Sequence, residues 1–281
     1  METDIVLQLT TLGHPQRLAV FRLLVRRAPD AVPAGEIAAA LGIKPSTLSS
    51  YLAALSRAGL VTQARAATSL RYAVDAEAVQ AMAETLFLEC CRGRPDLCLS
   101  QPDAQPGIAA ATGAGKSRVL FICSGNSARS ILAESILRAE AGDRFEVHSA
   151  GTRPRSELNP LALSLLEDEG HDISMLHAKN VDAFRGPDAP RFDFVFTVCD
   201  QAANEDCPAW TGQPISAHWG VPDPVRVTGA ASERAAAFRR AYGALRSRIA
   251  AFAALPVDRL DRVSLQKAVD RIAGIDATAD A

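Results

Sequence analysis

The pattern of apolar positions changes near residue 117. Beyond it, short apolar runs alternate with longer stretches whose apolar residues recur at helical spacing, an order typical of a small parallel α/β sheet. In such sheets the functional site lies at the carboxyl ends of the strands. The predicted strands are 119–122, 145–149, 194–198 and 214–218, and the predicted helices are 131–141, 161–169, 231–254 and one within 257–275.

The first hundred residues have a mainly helical pattern. One helix is predicted after His14-Pro15, and two short helices, 33–42 and 46–55, flank a tight turn. This arrangement predicts a helix-turn-helix, whose second helix enters the major groove of DNA. Residues 60–64 and 69–74 are predicted to form a two-stranded wing. The candidate DNA-binding residues are Ser46, Thr47, Ser49, Ser50, Tyr51, Arg65 and Arg71.

Charge and composition narrow the possible functions. The 281 residues are 48% hydrophobic, which is enough for one or two buried cores. The net charge of −2 gives no overall signal for nucleic acid, whereas residues 14–71 carry eight basic and two acidic side chains, compatible with a phosphate-facing surface. With no leader-like segment and no apolar run near 18 residues, we expect a cytoplasmic protein without a membrane partner.

A glycine-containing loop follows the first predicted strand of the second half. Cys123 opens this loop, and Arg129 follows six positions later, just before a predicted helix. Loop amides and a helix N-terminus together bind oxyanions, so the pattern predicts a cysteine nucleophile beside an arginine clamp. The same field is expected to lower the pKa of Cys123. The predicted oxyanion-binding residues are Ser124, Gly125, Asn126, Ser127, Ala128 and Arg129.

Three of the six cysteines lie close together after a predicted helix over 75–89. Gly93 and Pro95 interrupt that helix, so the three thiols can converge on one ion. Three thiolates without a histidine suit a soft, three-coordinate ion better than structural zinc. Buried or incidental cysteines are the alternative. The candidate metal ligands are Cys90, Cys91 and Cys98.

Residues 100–117 are rich in Ala, Gly and Pro and are expected to form a flexible linker. Gly113–Ser117 looks like part of a nucleotide-binding loop, but the first glycine of that motif would fall at Ala110, and the segment precedes a strand. We therefore expect neither ATP nor GTP binding, and no organic cofactor. The predicted domains are 1–99 and 118–281, joined by the linker 100–117.

The N-terminal pattern resembles the ArsR family of winged-helix repressors over residues 5–98. The resemblance implies a homodimer, paired through its terminal helices, that releases operator DNA when a metal or metalloid binds. Some members carry arsenite-sensing thiols at this end of the chain, which makes arsenite the expected effector. The family's cysteine pair in the helix before the recognition helix is absent, because residues 36–41 hold no thiol. A helix-turn-helix used only for protein contacts is the alternative.

The C-terminal pattern resembles the low-molecular-weight protein tyrosine phosphatase fold, and most closely its arsenate reductase branch, over about residues 118–275. The motifs are Cys-x5-Arg-Ser, Ser149–Thr152, Cys199-Asp200 and Pro222–Pro224. The resemblance implies that Cys123 attacks the central atom of the oxyanion and that Asp223 is the general acid. Ser130 can donate to the Cys123 sulfur and favour its thiolate.

Two further cysteines favour a reductase over a phosphatase. A reductase needs a second thiol to attack the Cys123–arsenic adduct, and Cys199 followed by Cys207 can supply a relay. The final disulfide would be reduced by a thioredoxin-type partner. Tyrosine phosphatases of this fold commonly have Met-Asp at the position of Cys199-Asp200, and an aromatic residue at the position of Val225. Because the spacing from Cys199 to Cys207 is long, attack by glutathione or mycothiol, with glutaredoxin as reductant, is the second route.

The two halves together predict an arsenite-responsive transcriptional repressor fused to a thiol-dependent arsenate reductase. One alternative is a regulator with a phosphatase domain for phosphotyrosine or another phospho-substrate. Another is a regulator whose catalytic fold only senses an oxyanion. The histidines lack metal-like spacing and are expected to be satisfied within the fold: His148, His171, His177 and His218.

Overall fold

The computed structural model describes residues 2–66, 69–90, 115–185, 189–205, 210 and 212–275. The chain forms two compact units, one helical and one α/β. Among the helices in these ranges, none is both long enough and apolar enough to cross a membrane.

The N-terminal unit is a winged helix-turn-helix. Strands β1, β2 and β3 form an antiparallel sheet in the order β1-β3-β2. A π-helical turn, Leu86–Cys90, follows the last helix. The elements are α1 (Glu2–Leu12), α2 (Pro15–Arg27), β1 (Val32–Pro33), α3 (Ala34–Leu41), α4 (Pro45–Arg57), β2 (Val61–Ala66), β3 (Ser69–Val74) and α5 (Ala76–Thr85).

The turn between α3 and α4 depends on Gly42, whose φ of +63° is left-handed and ends α3. Helix α4 then packs one face inward, because Leu48, Leu52 and Leu55 recur at helical spacing and are each at most 1% exposed. The opposite face of α4, with its polar residues, stays at the surface. The apolar spacing along α4 therefore determines which of its faces is buried and which is exposed.

The C-terminal unit contains a four-stranded parallel sheet in the order β5-β4-β6-β7, which confirms the predicted α/β class. Short 3₁₀ turns occur at Val181–Phe184 and Pro224–Arg226. The elements are β4 (Ser117–Cys123), α6 (Arg129–Ala141), β5 (Phe145–Gly151), α7 (Pro160–Asp168), β6 (Phe194–Thr197), α8 (Asp200–Asn204), β7 (Ile215–His218), α9 (Ala231–Ala253) and α10 (Arg262–Ala273).

Strand β4 lies inside the sheet, and its carboxyl end is where the site forms. Ile122 pairs with Ala150 of β5 and with Thr197 of β6, so three strands end side by side. Strand order changes direction at β4, which separates the following loops and leaves a crevice. Beneath this edge an aromatic core holds the sheet, in which Trp219 stacks on Phe196 with ring centroids 3.9 Å apart.

Candidate active site

The loop after β4 is oriented by the segment that follows β5. Backbone N–H groups within 152–159 donate to the carbonyls of residues 123, 124, 125 and 127 at 2.8–3.1 Å. In a trans peptide the N–H points opposite to the C=O, so each bonded carbonyl turns the next amide toward the inside of the loop. Helix α6 begins at Arg129 without a side-chain cap and adds its first-turn amides. The arrangement is a cradle for an anion.

Asn126 locks the conformation of this loop. Its φ of +42° is left-handed, which asparagine tolerates better than most residues. Its Nδ2 donates to Ser130 Oγ at 2.9 Å and to Ser149 Oγ at 2.8 Å, while its Oδ1 accepts from the Lys179 amide at 2.6 Å. Asn126 is 0% exposed, so all these bonds are shielded from water.

Gly151 allows the loop and the end of β5 to approach each other. A Cβ at this position would lie 2.8 Å from the Ser124 carbonyl oxygen and 3.0 Å from Asn126. Any larger residue would push the loop away from the strand. The Ser149–Thr152 motif therefore supports the loop.

Cys123 is 3% exposed and lies at the base of the cradle. Its Sγ is 2.9 Å from Ser130 Oγ and accepts from the Asn126 amide at 3.1 Å. Burial raises the pKa of Cys123, and nearby Cys199 raises this pKa further, whereas hydrogen bonds from Ser130 and Asn126 lower it. The expected net lowering of the Cys123 pKa is therefore wrong, because the desolvation of a buried thiolate outweighs its hydrogen bonds.

Arg129 and Asp223 form an ion pair beside the loop. Arg129 Nη2 is 2.9 Å from Asp223 Oδ2, and Arg129 Nη1 donates to the Val221 carbonyl at 3.0 Å. Asp223 Oδ1 also accepts from the Val225 amide at 3.1 Å. The structure thus brings together the predicted clamp and the predicted acid, and it orients both.

Cys199 lies beside the loop that begins at Cys123. It is 1% exposed, and its Sγ lies 3.4 Å from Ser124 Oγ and 3.4 Å from the Ala202 amide. Both Cys123 and Cys199 are free thiols. Cys207 falls outside the described residues.

Sequence reasoning missed a buried ionic cluster behind the loop. Glu134 of α6 accepts from Ser149 Oγ at 2.5 Å, and its carboxylate lies 3.1 Å from Lys179 Nζ. Its side chain is 3% exposed, and Arg138 pairs with it one turn later on α6. One signal was present in the sequence: Glu134 is the only charged residue in the run 130–137, whose other residues are apolar or serine.

A cleft of about 430 Å³ opens beside the loop. Arg155 and Glu157 contribute its charged groups, and Val225, two residues after Asp223, also lines it. Among the described residues, those that line the cleft include no aromatic side chain. The cleft lining is Ser127, Arg155, Ser156, Glu157, Leu158, Asn159, Pro160 and Val225.

Five of the seven predicted DNA-binding residues are exposed on the N-terminal unit, and two are half-buried. Ser46, Ser49 and Ser50 are exposed at the start of α4, Thr47 is half-buried there, and Arg65 and Arg71 are exposed on the wing. Tyr51 differs, because it is half-buried and its hydroxyl donates to Gln16 Oε1 at 2.6 Å. Tyr51 therefore contributes to the packing of α4 on α2.

The structure describes only one of the three cysteines that are predicted to bind a metal ion. Cys90 is exposed at the end of the π-helical turn, while Cys91 and Cys98 fall outside the described residues. Within the described ranges, no group of three or more His, Cys, Asp or Glu side chains could hold a metal ion. His148, His171 and His218 instead contact neighbouring side chains.

A buried cysteine that opens an amide-lined loop at the carboxyl edge of a parallel sheet is typical of proteins that use a cysteine nucleophile on an oxyanion. The chain belongs to the low molecular weight phosphotyrosine protein phosphatase family, whose sequence model matches residues 118–267. A helix-turn-helix domain model matches residues 12–64, which confirms the predicted motif. Both parts of the predicted architecture are thereby confirmed.

Similar proteins within this family are arsenate reductases. The arsenate reductase of Halalkalibacterium halodurans is 36% identical over 138 residues, covering 49% of this chain and 96% of the relative. That of Bacillus licheniformis is 35% identical over 139 residues, with the same coverage. A solved structure described as an arsenate reductase in the phosphate binding state is 26% identical and has a TM-score of 0.41, covering 49% of this chain and 97% of that one.

Proposed function

We propose that the C-terminal unit reduces arsenate to arsenite by means of two cysteine thiols. The observation that carries this proposal is the buried thiol of Cys199, held 3.4 Å from the Ser124 hydroxyl of the oxyanion loop. Hydrolysis of a phosphate ester needs no second thiol. The similarity to arsenate reductases, at 36% identity over almost the whole of one relative, supports the same choice.

The reaction begins at Cys123. Its thiolate attacks the arsenic of a dihydrogen arsenate ion whose oxygens are held by the loop amides and Arg129. An As–O bond breaks, and Asp223 supplies the proton with which that oxygen leaves as water. The product is a Cys123–arsenic(V) thioester. Arg129 and Asp223 pair at 2.9 Å beside the loop, which supports their action on the same oxyanion.

Reduction occurs when a second thiol attacks the sulfur of Cys123. A disulfide bond forms between Cys199 and Cys123, and the electron pair of the S–As bond passes to arsenic, which leaves as arsenite. One arsenate, two thiols and one proton thus give one arsenite, one disulfide and one water. We propose that Cys207 then attacks Cys199, and that a thioredoxin- or glutaredoxin-type dithiol reduces the resulting Cys199–Cys207 disulfide.

We propose that the N-terminal unit is a repressor that binds operator DNA as a homodimer. The exposed serines of α4 and the exposed arginines of the wing support DNA contact. Arsenite bound by Cys90, Cys91 and Cys98 would release the DNA, so the product of one unit would be the inducer of the other. The exposed position of Cys90 supports a binding role over a packing role.

A phosphatase is the second candidate, because Cys123, Arg129 and Asp223 alone suffice for ester hydrolysis. Val225, which lines the cleft beside the loop, stands where tyrosine phosphatases of this fold commonly have an aromatic residue. The function test is arsenate-dependent oxidation of NADPH with thioredoxin and thioredoxin reductase, or with glutathione and glutaredoxin. We expect turnover that Cys123→Ser abolishes. Hydrolysis of p-nitrophenyl phosphate without arsenate turnover, whatever the thiol donor, would contradict the proposal.

A further inference from the structure

His218 bridges two residues that flank Cys199. It ends β7 and is 0% exposed. Its Nδ1 lies 2.8 Å from Thr197 Oγ1, and its Nε2 lies 3.0 Å from Asp200 Oδ1. Because an ionised carboxylate only accepts, Nε2 donates to Asp200, while Nδ1 shares a hydrogen bond with the Thr197 hydroxyl. The imidazole thus links Thr197, two residues before Cys199, to Asp200, one residue after it.

Gly220 keeps this bridge tightly enclosed. A Cβ at Gly220 would lie 2.6 Å from His218 Nε2 and 3.0 Å from Asp200 Oδ1. The contact between imidazole and carboxylate therefore depends on the absence of a side chain at this point. A substitution here would separate the two groups without removing either.

Cys199 needs such support because it lies beyond the sheet. Strand β6 ends at Thr197. The backbone bonds just beyond it run from the Val198 amide to the Ile122 carbonyl at 2.8 Å and from the Val221 amide to the Val198 carbonyl at 3.2 Å. A disulfide requires its two Cα atoms within about 4.4–6.8 Å and a narrow torsion range. The position of the Cys199 backbone therefore controls whether its sulfur can reach Cys123.

We propose that His218 is a positioning residue that holds Cys199 within bonding reach of Cys123 by tethering Thr197 and Asp200. The role rests on the proposed function, because reduction uses Cys199 and ester hydrolysis does not. Cys123 has separate supports, since its sulfur contacts Ser130 and the Asn126 amide. Loss of the imidazole bridge should slow disulfide formation without making the Cys123 thiol less available for alkylation.

The test measures formation of the Cys123–Cys199 disulfide in a Cys207→Ser background, which prevents onward exchange. Diamide serves as the oxidant: two thiols become one disulfide, and the diazene takes up two electrons and two protons. Peptide mapping by mass spectrometry follows the bond over time. The variants are His218→Gln, Thr197→Val, Asp200→Ala and Gly220→Ala. His171→Gln is the matched control, because it removes a histidine contact to Tyr242 of 2.7 Å elsewhere in the same unit.

We expect the four variants to slow disulfide formation by about tenfold or more, since misplaced reacting groups lose effective concentration. The disulfide rate of His171→Gln should be unchanged, and no variant should lose alkylation of Cys123 by iodoacetamide. Thr197→Val and Asp200→Ala keep the proposal testable if His218→Gln does not fold. Unchanged disulfide rates in the variants would overturn the proposal, as would a parallel loss of Cys123 alkylation.

The same series separates this proposal from the proposed function. If diamide oxidation depends on His218 but arsenate oxidises no thiols in the parent protein, positioning is upheld and arsenate reduction fails. If arsenate oxidises the thiols at equal rates in the parent and the His218 variants, arsenate reduction is upheld and positioning fails.

Discussion

At the scale of single residues, Cys123 is subject to opposing influences. Burial and the neighbouring Cys199 raise its pKa, while Ser130 and Asn126 donate hydrogen bonds that lower it. The nucleophile is therefore tuned by specific neighbours as well as by the loop as a whole. Changing one neighbour at a time should move the Cys123 pKa in opposite directions.

We predict that Ser130→Ala raises the pKa of Cys123 and that Cys199→Ala lowers it. The serine hydroxyl stabilises the thiolate, whereas a charge on Cys199 destabilises it. The pH profile of Cys123 alkylation by iodoacetamide should accordingly move to higher pH in Ser130→Ala and to lower pH in Cys199→Ala. Ser135→Ala, another buried serine of α6, is the control and should not move it. Shifts of the same sign in both variants would refute the assignment.

The residues of the site differ in how far sequence could predict them. Cys123, Arg129 and Ser130 lie within one local motif, so their spacing alone indicates a nucleophile, a clamp and a hydrogen-bond donor. The partners of Asn126, at Ser149 and Lys179, come from distant segments and meet it only through the sheet. The sign of the Cys123 pKa shift depends on burial, which spacing does not report.

At the scale of elements, α6 carries both the last amides of the oxyanion cradle and a buried carboxylate. Glu134 is compensated by Lys179 and Arg138 and accepts from Ser149, which also contacts Asn126. This chain of contacts links the helix to the loop. A buried charge that loses a partner costs stability.

We predict that Lys179→Met destabilises the C-terminal unit by about 2 kcal/mol, less than a fully isolated buried charge because Arg138 remains. Adding Glu134→Gln should restore part of this loss, since the uncompensated charge is then gone. The free energy of unfolding is measured by urea titration monitored by tryptophan fluorescence, because both tryptophans lie in this unit. Lys267→Met, at an exposed position on α10, is the control. A double variant no more stable than Lys179→Met would contradict the role of the pair.

In the N-terminal unit, the wing and α4 together form the exposed basic and polar side. We predict that Arg65→Gln weakens binding to a duplex taken from upstream of the protein's own coding sequence. It should also make the slope of log K against log salt shallower by about one, because one phosphate contact is lost. Arg259→Gln is the control, since Arg259 lies in the other unit with an 83% exposed side chain. An unchanged salt slope would remove Arg65 from the DNA-binding surface.

The elements that sequence did not predict include β1 and α1, and both lack a clear local pattern of apolar residues. Strand β1 has only two residues, and it exists because it pairs with β3, far along the chain. Helix α1 exposes Val6, Leu7 and Leu9 by 43–56%, so it shows no clear division into apolar and polar faces. Long elements with a buried face, such as α9, were predicted within one residue because their periodicity is local information.

At the scale of the whole molecule, one chain joins an oxyanion-processing fold to a DNA-binding fold. If arsenite is the ligand of the N-terminal thiols, arsenate can act on the DNA only after Cys123 has converted it. Release of DNA by arsenate should therefore require Cys123, whereas release by arsenite should not. Comparing the two ions thus distinguishes catalysis by the C-terminal unit from sensing by the N-terminal unit.

We predict that arsenate, supplied with a thiol reductant system, releases the parent protein from the upstream duplex. In the Cys123→Ser variant, arsenate should no longer cause release, whereas arsenite should still do so. A Cys90→Ser, Cys91→Ser, Cys98→Ser variant should show the reverse: arsenate turnover persists and neither ion releases the duplex. Fluorescence anisotropy of the labelled duplex, with arsenite quantified in the same samples, measures both effects. Phosphate at the same concentration controls for simple oxyanion binding, since it is a similar oxyanion that cannot form arsenite. Release of Cys123→Ser by arsenate would mean that the DNA-binding unit responds to the oxyanion itself, and product-coupled induction would be refuted.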